Sequence, residues 1–155
     1  MTQIAKSSEK LVQTRTDHHV RTRMLRASPP TPTTFEQLSR ETIARMPAPF
    51  RNQLDSVVIK VEEFASSEQL AAVGLSDKWQ LSGLYEGRPL TEQSVWESGS
   101  MPAVISLFMQ PLLAEMRDTG VPLEELIQHV VVHEAGHHFG FSDEEMHALE
   151  ESVRD

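Results

Sequence analysis

Residues 132–143 read VHEAGHHFGFSD, with three histidines, a glutamate and an aspartate in a stretch otherwise apolar enough to be buried. On a helix, His133 and His137 lie one turn apart and about 40° apart in projection, so both imidazoles face one ion. Glu134 sits about 100° round from His133, placed to reach a metal-bound water rather than the metal. This is the H-E-x-x-H arrangement of two ligands and a general base. A catalytic zinc needs a third protein ligand and an open position. Gly140 can end the helix in a left-handed conformation and turn the chain back. Asp143, six residues after His137, is then placed to be that ligand. The full pattern is H-E-x-x-H-x-x-G-x-x-D. An isolated H-E-x-x-H is expected by chance at roughly a few per cent, and the added Gly and Asp lower that to well under about one in a thousand.

The 155-residue chain is long enough for one domain with a real core. It has no cysteine, so any metal must be held by His, Asp or Glu, and disulfides are excluded. Net charge is −9, unevenly spread: residues 1–34 carry six basic against two acidic residues, a balance of +4 that leaves −13 for the rest. An acidic body argues against nucleic acid as the partner. No apolar run has the length of a membrane span, and the N-terminus lacks the apolar core of a secretory signal. Its Arg-rich, acid-poor character faintly resembles a transit peptide, but the default expectation is a cytoplasmic protein.

Several elements must position these residues. Residues 1–33 form a basic, flexible extension ending in SPPTPTT, and residues 34–155 form the domain. Thr34 and Gln37 suggest a capping box opening a helix that PAPF stops. The β-branched run SVVIKVEEF (56–64) predicts a strand, SSEQLAAVGL a short helix, and WQLSGLYEG (79–87) a strand interrupted by Gly83. Residues 88–102 read as a loop, and AVISLFMQ (103–110), apolar on both faces, as a central strand. A helix from Pro111 to Gly120 precedes the long motif helix, which has Pro122 near its first position and Gly140 past its end. Ser142 and Glu145 form a capping box for a last helix.

Other residues near the motif have plainer readings. Glu144 and His147 are substitutes for Asp143, and His147 can instead donate to it. His138 points away from the ligand pair, which suits surface or packing. His129 shares the ligand face, but a fourth side chain would close the site, so a satisfied core residue is expected. Tyr85 can stabilise an oxyanion or simply pack. Trp79 and Trp96 read as core or rim aromatics, and His18 and His19 as titrating surface groups.

The segments LYEGRPLTE, ISLFMQPLL and VVHEAGHHFGFSDEEMHALE resemble the small bacterial zincin-like metallopeptidase family. The resemblance covers about residues 34–152 and is most specific in the last third. It implies a minimal zincin-like α+β fold: a small three- to four-stranded mixed sheet packed on helices, with the motif helix near the C-terminus. It also implies one zinc ion held by His133, His137 and Asp143, with Glu134 as catalytic base. The chain departs from the pattern at Gly136, which costs about 1 kcal/mol against Ala inside a helix. It also has no methionine turn after the third ligand. The reading that follows is hydrolysis of a peptide or protein substrate. Its rival is a non-catalytic zinc protein whose metal pins the last two helices while the acidic surface binds a protein partner. A third possibility is a peptidase kept silent by the 1–33 arm.

Overall fold

The computed structural model describes residues 29–87 and 101–154. Most of the N-terminal extension, residues 88–100 of the expected loop, His18, His19 and Trp96 lie outside the described residues. Among those described are six α-helices and a three-stranded sheet. In chain order they are α1 (Pro32–Ala44), α2 (Ala48–Gln53), β1 (Val58–Glu62), α3 (Ser67–Ala72), a 3-10 turn (Lys78–Gln80), β2 (Gly83–Glu86), β3 (Val104–Phe108), α4 (Met109–Thr119), α5 (Leu123–Phe139) and α6 (Asp143–Arg154).

Helix α1 starts earlier than Thr34. Thr31 is the cap, its hydroxyl accepting the Thr34 amide while Thr34 Oγ1 accepts the Thr31 amide. Pro32 occupies the first helical position, where its missing N–H has no partner to lose. The prolines therefore end the arm and open the helix. PAPF likewise does not merely stop α1: Pro47 precedes α2, a second short helix.

The sheet order is β1-β3-β2, with β1 parallel and β2 antiparallel to β3. As expected from its apolar pattern, β3 is central. Successive residues of a strand face opposite sides. Ile105 and Leu107 enter the main core with Phe35, Ile127 and Val131. Phe108 faces a smaller core of Ala65, Leu70, Leu81 and Leu84 beneath α3. Helix α4 begins at Met109, straight out of β3, so Pro111 sits inside its first turn. First-turn amides have no intrahelical partner, so the proline is tolerated there. No helix among the described residues is long and apolar enough to cross a membrane.

Two glycines set the spacing around the motif helix. A Cβ on Gly83 would lie 2.3 Å from Val130 Cγ1, so β2 can approach α5 this closely only without a side chain. A Cβ on Gly136 would lie 2.6 Å from Met146 Cγ. This explains the glycine inside the motif: its helix-propensity cost lets α6 seat Met146 against α5. We expect Gly136→Val to destabilise the metal-free protein by about 1–3 kcal/mol through overpacking. Adding Met146→Ala should recover part of that loss in urea unfolding; no recovery would show that the two positions do not share the contact.

Candidate active site

Helix α5 is poor by propensity through Val130, Val131 and Val132, all of which are buried, so burial holds it. Its C-terminus closes on Gly140 at φ 72°. The Phe141 amide donates to the Gly136 carbonyl and the Gly140 amide to the His137 carbonyl, the paired bonds of a Schellman end. The chain then reverses. Ser142 and Glu145 form the expected capping box, with the Glu145 amide donating to Ser142 Oγ and the Ser142 amide to Glu145 Oε1. Asp143 is the first residue of α6.

His133 and His137 project together, their rings 5.1 Å apart. One potential ligand atom from each of His133, Glu134 and His137 lies within 4.8 Å of the others. His133 Nε2, Glu134 Oε1 and His137 Nε2 are all buried with no hydrogen-bond partner. One unsatisfied buried polar group costs roughly 1–3 kcal/mol. Two such nitrogens fit a shared cation with the Glu134 oxygen beside it, and a nitrogen–oxygen set without thiolate suits zinc.

Electrostatics favour the same reading. Burial, then the neighbouring His133, lowers the pKa of His137 to about 4, although the Asp143 charge opposes this. Burial, then His129, also lowers His133, against Asp143 and Glu150. Both imidazoles are thus neutral at pH 7, the form that can coordinate a metal. Glu134 is 1% exposed, and burial pushes its pKa up to about 8 although the Tyr85 backbone amide pulls the other way. A cation beside it would favour the carboxylate again.

Strand β2 supplies that amide through its register. The Phe108 amide bonds the Ser82 carbonyl, and β2 pairs Leu84 with Ser106 and Glu86 with Val104. In an antiparallel ladder, alternate residues bond the neighbouring strand. The backbone groups of Gly83 and Tyr85 therefore point away from β3, and Glu134 meets Tyr85 on that side. The Tyr85 hydroxyl and His138 Nδ1 share a buried hydrogen bond of 2.8 Å. Burial raises the phenol to about 12, so the hydroxyl stays protonated in that bond. Burial also lowers the pKa of His138, and the Gln53 backbone opposes that shift. Tyr85 and His138 thus tie β2 to the motif helix one residue past His137.

The sequence-derived site residues are not all gathered equally. His133, Glu134 and His137 converge. Asp143 is exposed and outside that tight group, although its charge reaches both histidines. His147 pairs with Glu151 at 3.3 Å on its own exposed helix face rather than with Asp143. Glu144 is exposed. His129 is not a core residue: it is half-exposed and bound to Glu150 at 2.7 Å. Trp79 lies at the surface, packed edge-on against Phe64.

Glu134 and His137 open into a cavity of about 500 Å³, lined also by Leu84, Tyr85 and Gly87 from the β2 segment and by Glu68, Gln69 and Ala72 from α3. Sequence reasoning missed α3 as a wall of this cleft. The Ser66–Gln69 capping box was legible, but its distance from Glu86 was not. A family model of zincin-like metallopeptidases matches residues 54–153, beginning just after α2. No curated protein matches the chain.

Proposed function

The chain belongs to the zincin-like metallopeptidase family, and from that premise we propose that it is a zinc-dependent peptidase that hydrolyses peptide bonds with Glu134 as general base. His133 and His137 would hold the ion, with Asp143 completing the set. The bound ion supplies Lewis acidity to a water and to the scissile carbonyl.

The chain's own residues do the rest. Glu134 takes the proton of the attacking water and delivers it to the departing amine, the usual division of labour for a single base. The Tyr85 amide holds the carboxyl in place, and the Tyr85–His138 bond holds the strand that carries the amide. Strand β2 is an edge of the described sheet, and Leu84 to Gly87 border the cleft. An extended peptide or protein substrate laid beside that edge would bring its carbonyl to Glu134. The acidic composition disfavours nucleic acid, and the absence of cysteine fits a reducing, cytoplasmic setting.

The observation that carries this reading over a structural metal is the cavity: Glu134 and His137 line open space. A structural zinc site is closed by four protein ligands, whereas a catalytic one keeps a position for water. The test is a zinc analysis of the full chain paired with a peptide-library cleavage assay. We expect one zinc per chain, cleavage that stops on chelation and returns with zinc, and binding of a small hydroxamate. A zinc-loaded protein that cleaves no library peptide and binds no hydroxamate would instead support the structural role.

A further inference from the structure

We propose that the cleft selects substrates bearing lysine or arginine at a residue adjacent to the scissile bond; this rests on the peptidase reading and names its substrate class. Glu68, in the first turn of α3, and Glu86, at the end of β2, both line the cavity. Neither makes an ion pair among the described residues. Glu86 is tethered: Gln69 Oε1 accepts the Ser66 amide at 2.9 Å, while Gln69 Nε2 donates to Glu86 Oε1 at 2.7 Å. The helix cap thereby fixes a carboxylate on the wall.

Ala72 and Leu84 give the same cavity an apolar stretch. Glu134, which lines the same cavity, is 1% exposed, and its Oε1 has no hydrogen-bond partner. The cavity thus combines a buried reacting group with one partnerless oxygen, apolar lining, and two carboxylates that make no ion pair among the described residues. Lysine and arginine match that combination, with a methylene stem for the apolar surface and a charged head for the carboxylates. An acidic substrate side chain would meet like charge there, which is how a site rejects a wrong partner.

The test uses the full zinc-loaded chain and a library of decapeptides, followed by matched peptides that differ only as arginine, citrulline or glutamate at the selected position. We expect lysine and arginine to be enriched at one position beside the cut, with arginine favoured over citrulline by about tenfold or more in kcat/KM. Added salt should reduce the preference, because the carboxylates are exposed. Glu68→Gln with Glu86→Gln should bring the ratio near one. Glu68→Lys with Glu86→Lys should turn it toward glutamate. Both positions are exposed, so circular dichroism should show a native fold. Cleavage without enrichment of basic residues, or a preference that survives the double glutamine variant, overturns the proposal and leaves the peptidase reading standing. Binding of the same peptides to Glu134→Gln, followed by fluorescence anisotropy, decides the matter without turnover. Arginine bound more tightly than citrulline supports the pocket even if no peptide is cut, and equal binding sinks it.

Discussion

Replacing Glu134 by glutamine is expected to leave a protein that still binds one zinc but turns over peptide about 10²–10⁴-fold more slowly, the usual contribution of a positioned general base. Glutamine keeps the shape of the side chain and can still accept the Tyr85 amide, so the cleft should remain intact. What it cannot do is take a proton from water. The loss should fall on kcat more than on KM, because the group acts in the transition state. A second readout concerns the metal-free protein. Burial raises the carboxyl from 4.5 to about 8, so the folded chain holds a proton there that the unfolded chain releases. A group with a raised pKa contributes stability below its unfolded value and loses it as pH climbs through the folded value. The stability of the wild type relative to Glu134→Gln should therefore fall between about pH 4.5 and pH 8. The lowered pKa of His137 acts with the opposite sign, adding stability as pH rises from about 4 to 6.5. Comparing the two proteins cancels that contribution, because both carry the histidine. Full turnover by Glu134→Gln would remove the base assignment.

The motif could be read from the chain because helical geometry is local. His133 and His137 need only the 3.6-residue period to face together, and Gly140 needs only its freedom at positive φ to reverse the chain. The central position of β3 followed from its apolar residues on both faces. What escaped depends on partners distant in sequence. Gly136 looked like a weak point in the helix until Met146 was found against it. Helical geometry turned His138 away from the ligand pair, but nothing local showed that Tyr85, 53 residues earlier, would meet it. His129 matched a core pattern, yet Glu150 draws it into a hydrogen bond at a half-exposed position. Thr31 and Thr34 are both acceptable caps by type. Pro32, poised for the first helical position, explains why the earlier one serves.

The largest effect on metal binding is expected from His137→Ala, and the most informative from Asp143→Ala. Structural zinc is bound with roughly 10–16 kcal/mol, or about 2.5–4 kcal/mol for each of four positions, so losing one ligand costs roughly 10²–10³-fold in affinity. His137→Ala also removes half of the motif pair, and zinc should no longer copurify. The zinc-dependent rise in melting temperature should vanish with it, because that rise is mass action on the folded state. A core histidine behaves differently: its loss destabilises the protein whether or not metal is present. His137 Nε2 is buried without a partner, so alanine should cost little in the metal-free chain and much in the loaded one. Asp143 tests the third position. It begins α6 just past the Schellman reversal, and its charge reaches both histidines, yet it stands outside their tight group with Glu134. If its carboxylate swings in to ligate the ion, Asp143→Ala should weaken zinc by about 10²–10³-fold while the equally exposed Glu144→Ala changes it little. A charge acting only through space is worth far less, because exposed carboxylates are screened. In that case Asp143→Ala would cost tenfold or less, and raising the salt would erase most of the difference. Affinities measured by competition with a zinc-binding dye at two ionic strengths separate these outcomes, and an Asp143→Ala protein that binds zinc as tightly as wild type would remove the aspartate from the ligand set.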